Sequence, residues 1–237
     1  MSEPWTVLQH SPAFGLGLTL FVYVAATRLQ RRSGGHPLAN PVALSIGTIA
    51  AVLTLGGVSY ETYFAGAQVI HVVLGPATVA LAVPLYTHLA RARALAVPLA
   101  CALLVGCVTA IMSVIGLAHQ LHVSPLTQIA LSAKSATAPV AIGIAQSMGA
   151  DPSIAGVFAI LTGMLGAMLG PFVLWATGVV EAPAQGFALG LTSHGIGTAR
   201  ALQIGEEAGA FSGLAMGLNA IATTVLLPVI VRVLGLN

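Results

Sequence analysis

Residues 94–118 read ALAVPLACALLVGCVTAIMSVIGLA, 25 positions without a single charge. A helix rises about 1.5 Å per residue, so this run covers the roughly 30 Å hydrocarbon core of a bilayer. Arg91 and Arg93 precede it, and His119 and His122 follow it. The rest of the 237-residue chain agrees with that reading. Charged residues make up 6% of it and hydrophobic ones 57%, where soluble domains carry roughly 25% charge. Six acids and eight bases cannot coat a water-facing surface. The composition excludes a soluble enzyme, a nucleic-acid binder and a disordered tail. It predicts an all-α, polytopic membrane protein, with residues 1–237 as one integral membrane domain.

Seven further segments flank the central run: 13–29, 42–60, 68–88, 125–148, 154–177, 184–204 and 208–231. The total is about eight membrane segments, seven or eight. Eight crossings place Arg28, Arg31, Arg32, Arg91 and Arg93 on one side, which the positive-inside bias makes cytoplasmic. Glu61, His119, His122 and Glu181 then fall outside, as do both termini. Trp5, Tyr60 and Trp175 take interfacial places. The fifth and seventh segments are the weak points, since a re-entrant or broken path in either changes the count. Glu3 is acidic and no basic region precedes the first apolar run, so no cleavable signal peptide is expected. Cys101 and Cys107 lie six positions apart on one helix, facing different ways, and are read as packing residues without a disulfide.

Three segments differ from plain anchors. The third contains Gly75-Pro76 and then Pro84. The fifth contains Lys134-Ser135-Ala136-Thr137-Ala138-Pro139. The seventh contains Thr192-Ser193-His194-Gly195-Ile196-Gly197-Thr198-Ala199-Arg200. Proline removes a backbone donor and its ring clashes with the preceding turn. Unwound backbone at membrane depth survives only where protein or a watery cavity surrounds it, and secondary transporters use such breaks to expose helix ends to a solute. A kink used only for packing is the plainer alternative at each site. Residues 131–150 and 191–210 also align at a spacing of 60, with Leu, Ala, Ile, Gly and Ala in register and Lys134 opposite His194. That alignment predicts an internal repeat. Glycines within the segments, among them Gly143, Gly156, Gly163, Gly166 and Gly170, predict close helix packing, and Gly213 with Gly217 has the spacing of one tight crossing.

The intramembrane ionisable groups are few. Lys134 is the only lysine, and a lysine at mid-membrane costs about 2.5–3.5 kcal/mol on insertion scales. It either binds an anion or changes protonation during a cycle, or it sits near an interface and snorkels. Ser132, Ser135 and Thr137 add hydroxyls beside it. Arg200 either pairs with Glu206 or Glu207 or lines the cavity with His194, where its planar fork would hold a carboxylate. His194 lies among Ser193, Gly195 and Gly197, a context for ligand or proton handling more than for a packed core. Asn219 either caps a polar network or makes a structural interhelical bond. There is no HExxH, no cysteine pair at metal spacing, no G-x-S-x-G and no GxxxxGK. Neither metal, cofactor nor enzymatic chemistry is expected. A carboxylate-poor cavity with cations suits a small organic acid.

These motifs carry a family resemblance. LGPATVALAVPLY (residues 74–86), KSATAPVAI (134–142) and TSHGIGTARAL followed by GEEAGAFSGLAMGLN (205–219) resemble the LrgB/CidB family of bacterial membrane proteins. The resemblance covers residues 10–235. Members are described as holin-like or antiholin-like modulators of murein hydrolase export and autolysis, commonly paired with a small LrgA/CidA-type membrane partner. A related plastid protein exchanges glycolate and glycerate, and bacterial members are linked to pyruvate movement. The resemblance implies a bacterial cytoplasmic (inner) membrane location. It also implies that Lys134, Ser135, Thr137, Pro139, His194, Gly195, Gly197, Thr198 and Arg200 line a transport site. Ser193 and Asn219 join that set from the residue reading.

Two functions follow. The first is a secondary carrier of small monocarboxylates, of the glycolate, glycerate or pyruvate class, by alternating access with proton coupling or exchange. Lys134 and Arg200 would neutralise the carboxylate, Ser135, Thr137, Ser193 and Thr198 would read a hydroxyl, and His194 would carry the proton. The alternative is a holin-like or antiholin-like modulator, which needs a large hole or a partner and has no use for a lone buried lysine. The glycine-rich faces predict a homodimer in the lipid bilayer, and no nucleic acid is involved.

Overall fold

The computed structural model describes residue 11 and residues 13–34, 39–80 and 82–236. Trp5 lies outside the described residues. Every regular element among them is helical. Four of these helices are long and apolar enough to cross a membrane: Ala13–Arg32, Ala96–Gln120, Pro152–Ala176 and Glu206–Val233. The chain divides into two compact units, Met1–Ala80 and Leu81–Asn237.

The first unit holds α1 (Ala13–Arg32), α2 (Pro41–Gly56) and α3 (Tyr60–Ala80). Asn40 caps α2 by accepting from the Val42 and Ala43 amides at 2.9 and 3.1 Å, with Pro41 pre-set for the first turn. Gly57 ends α2 in the left-handed conformation, φ 63°, which suits glycine because it has no Cβ. Gly15 brings α1 against the α3 backbone at Tyr63 and Ala67, and Thr19 and Tyr63 share a hydroxyl hydrogen bond of 2.8 Å. The expected break at Gly75-Pro76 is absent. Pro76 lies inside α3, which continues to Ala80, because one missing donor is tolerated in an otherwise continuous apolar helix.

The second unit begins with α4 (Ala82–Thr87) and α5 (Leu89–Ala94), then α6 (Ala96–Gln120). Next come α7 (Pro125–Ser132), a 3-10 turn at Ala133–Ser135, and α8 (Ala138–Ser147). The last three helices are α9 (Pro152–Ala176), α10 (Ala182–Ile204) and α11 (Glu206–Val233). Leu99 and Leu103, early in α6, pack with Phe187, Leu191 and Ala215. Later in α6, Ile111 and Ile115 join Ile129, Ile144, Ala155 and Val231. Thus α6 and α11 run from the Arg91 end to the His119 end, and α9 returns.

The fifth sequence segment does not cross. Helices α7 and α8 have 8 and 10 residues, about 12 and 15 Å long, half of a hydrocarbon core. Their outer ends meet one core at the His119 end, where Ile144, Ala145 and Ala150 pack with Ile115 and Val231. They form a hairpin that enters from that end and returns to it.

The seventh segment is a second hairpin, from the opposite end. Helix α10 breaks at His194, φ 41° and ψ −130°. Gly186 and Gly190, before the break, touch the α11 backbone at Ala208 and Ser212. After the break Thr198 reaches the Ser212 hydroxyl at 3.0 Å, and Leu202 packs on Gly209. The first half therefore runs parallel to α11 and the second half antiparallel. Both start and finish at the Arg91 end. Arg91 confirms the placement, lying 3.9 Å from both Glu181 and Glu207.

These two hairpins correct the eight-crossing path. Glu181 shares the end of Arg91, not that of His119. Each hairpin contributes no net crossing, so the direction of α11 is unchanged while the loops on either side of α9 exchange sides. Hairpin plus long helix occurs twice in opposite orientation, α7–α8–α9 and α10–α11. Each hairpin is anchored alike: Gln128 donates to the Val123 carbonyl and Gln185 to the Val179 carbonyl, both at 2.7 Å. These anchors are 57 positions apart, from 128 to 185. In that register Lys134 stands opposite Leu191, where the sequence alignment at 60 set it opposite His194.

The close crossing also falls elsewhere than expected. Gly217 has open space around it, whereas Gly186 and Gly190, also four apart, meet backbone. On α9, Gly163 faces the His194 ring, Gly166 the Ser193 hydroxyl and Gly170 the Leu189 side chain. This glycine track seats the second hairpin.

Candidate functional site

The tips of the two hairpins meet through Asn219 of α11. Its amide nitrogen donates to the Ser135 carbonyl at 2.9 Å and to the Leu191 carbonyl at 3.1 Å. The sequence explains the need. In a continuing helix the Ser135 carbonyl would accept from residue 139, but Pro139 has no N–H. Leu191 lies in the last turn before the His194 break. Unpaired carbonyls at that depth are costly, and one buried amide satisfies both. The Asn219 Oδ1 itself has no hydrogen-bond partner among the described residues.

Lys134 sits in the 3-10 turn at the first tip. Its ammonium lies 3.5 Å from the Ser135 hydroxyl. Among the described residues no carboxylate pairs with it; the ion pairs there join Arg91 to Glu181 and Glu207. Lys134 lines a cavity of about 460 Å³ with Thr162, Gly166, Leu169, Ala188 and Thr192. Two helices begin at the tips, α8 after Thr137 and the second half of α10 after His194. Helix N-termini carry partial positive charge, so lysine and both helix starts bias this region toward an anion. Thr137 makes no side-chain capping bond to α8.

His194 is 5% exposed. Its Nε2 lies 2.8 Å from the Ala159 carbonyl, and its own carbonyl accepts from Thr198 Oγ1 at 2.9 Å. A non-glycine residue at positive φ costs roughly 1–3 kcal/mol. The ring contact and the Thr198 bond hold that conformation. Gly197 lets the returning half of α10 close on the Leu189 backbone, and Gly195 is open apart from Met216.

Not every sequence candidate gathers here. Lys134, Ser135 and Asn219 are linked at the first tip, Thr198 bonds the His194 carbonyl at the second, and Ser193 bonds only its neighbour Thr192 among the described residues. Arg200 lies further along the returning half, where its guanidinium donates to Gln203 Oε1 at 2.6 Å. It pairs with neither Glu206 nor Glu207. A second cavity, about 550 Å³, extends from Arg91 and Glu181 past Leu99 and Phe187 to Leu191 and Thr192. Arg200 lines neither cavity. Thr162 and Thr192 are cavity residues that the sequence reading did not single out. Thr192 opens the TSHGIGTAR stretch, and Thr162 directly precedes the first glycine of the α9 track.

Two opposed broken hairpins, buried against glycine-bearing helices, define a polytopic membrane protein whose irregular backbone meets at mid-depth. The chain belongs to the LrgB-like family, whose model matches residues 19–233. It is similar to the holin-like protein CidB of Staphylococcus epidermidis, 34% identical over 90% of this chain and 93% of that one. YxaC of Bacillus subtilis is 36% identical over the same shares. The holin-like protein CidB of Staphylococcus aureus Mu50 is 32% identical, again over 90% and 93%. No solved structure matches the chain.

Proposed function

We propose that this chain is a secondary carrier of small monocarboxylates, of the glycolate, glycerate or pyruvate class. One observation carries the reading: Lys134, free of any carboxylate among the described residues, lines a cavity of about 460 Å³ at the tip of a re-entrant hairpin. That volume lies in the roughly 300–1,000 Å³ range of small-molecule sites. The ammonium neutralises the carboxylate, and the starts of α8 and of the second half of α10 add to the attraction. Two hairpins entering from opposite ends give each side of the membrane its own movable element. His194, buried where they meet, is the candidate for a coupling proton.

The printed name of the Staphylococcus relatives, holin-like, favours a second reading, a modulator of murein hydrolase export. Liposomes containing only this purified protein separate the two. Saturable uptake of radiolabelled glycolate, glycerate or pyruvate, lost in Lys134→Ala at equal membrane expression, is the result expected of a carrier. Unchanged uptake by that variant removes the role of Lys134. Passage of bulky markers without saturation supports the holin-like reading instead.

A further inference from the structure

The hydroxyls in contact with the cavities are not those the sequence pointed to. Ser193 is fully buried against Gly166. Thr198 is occupied by the His194 carbonyl and Ser212. Ser135 is buried beside Lys134. Neither these three nor Thr137 lines either cavity, whereas Thr192 lines both. Thr192 and Ala188 form the wall where the space reaching in from Arg91 meets the space holding Lys134.

The chemistry of Thr192 is further restricted by its neighbours. Its hydroxyl donates to the Ala188 carbonyl at 2.8 Å, which uses its only proton. The Ser193 hydroxyl, 3.2 Å away, is then the donor of their pair. One lone pair of Thr192 Oγ1 is left, so it accepts and does not donate. An acid whose carboxylate rests on Lys134 and whose neighbouring carbon bears a hydroxyl has a proton to give it. The corresponding 2-oxo acid has none.

We infer that Thr192 is the residue that selects 2-hydroxy acids over their 2-oxo counterparts. This rests on the carrier reading and assigns its specificity. The test uses the full chain, purified and reconstituted in liposomes, with L-lactate and pyruvate as a pair sharing one carbon skeleton. Thr192→Val is expected to raise the KM for lactate about 2- to 10-fold relative to that for pyruvate, the ratio one neutral hydrogen bond supplies. Thr192→Ser keeps the wild-type ratio. Should the valine protein not fold, Thr192→Ala removes the hydroxyl without adding bulk and tests the same ratio. An equal shift for both acids, or a wild-type protein that treats them alike, overturns the assignment and leaves the carrier standing. A wild-type protein with no saturable uptake of either acid overturns both.

Discussion

The imidazole Nε2 of His194 lies 2.8 Å from the carbonyl oxygen of Ala159, across the interface between α10 and α9. A carbonyl only accepts, so Nε2 carries the proton and Nδ1 is the nitrogen left to change its state. The ring is thereby tied at one nitrogen to α9, across the break in α10.

That contact exists because residue 163 is glycine. A Cβ there would lie 2.5 Å from His194 Cε1 and 2.7 Å from Nε2. Gly163→Ala is expected to push the ring off Ala159 and to destabilise the protein by about 1–3 kcal/mol, the usual cost of overpacking a tight site. Gly116, on α6, has open space around it, so Gly116→Ala is the matched control and leaves stability nearly unchanged. Thermal unfolding of both variants in detergent checks the contrast. Equal melting temperatures would mean that the track glycine does not hold His194.

Asn219 gives the next expectation. Removing its amide leaves the Ser135 and Leu191 carbonyls unpaired at the two tips, and each orphaned buried group costs about 1–3 kcal/mol. Asn219→Ala and Asn219→Leu both lose the donation and should both lower the melting temperature. Thr223, equally buried on the same helix, has as its one side-chain hydrogen bond among the described residues a 3.5 Å contact to the Cys107 sulfur. Thr223→Ala should therefore fall well short of either. A Thr223 variant as damaged as the Asn219 ones would show that burial, and not the bridge between tips, sets the cost.

Much of this was readable from residues, and the failures share a physical cause. Segment positions follow from apolar length, and the breaks follow from Pro139 and the glycines beside His194. Lys134 and Asn219 stand out because polar groups are expensive in lipid. Hydropathy, however, reports only apolar length. Residues 125–147 form two half-helices whose summed length equals one spanning helix, so the sequence does not separate a hairpin from a crossing. Nor does spacing tell which glycine pair meets backbone, since Gly186–Gly190 and Gly213–Gly217 read alike. Thr192 looked like any helical threonine, because only the packing of α10 shows that its face borders both cavities. Arg200 drew notice for its charge, yet its one side-chain hydrogen bond among the described residues goes to Gln203, three residues away.

The hairpin topology makes a prediction that needs no solute. Asp151 caps α9 through the Ser153 and Ile154 amides at 2.7 and 3.2 Å, at the end where α6 finishes. Glu181 precedes α10 at the Arg91 end. With Cys101 and Cys107 replaced by alanine, single cysteines at Asp151 and Glu181 are compared with reference cysteines at His122 and Arg93. A membrane-impermeant thiol reagent on intact cells should treat Asp151→Cys like His122→Cys and Glu181→Cys like Arg93→Cys, one pair labelled and the other labelled only after permeabilisation. Continuous crossings through residues 125–148 and 184–204 require the reverse pairing, because each would carry its following loop to the other side. The comparison is relative, so it holds whichever end faces the cytoplasm.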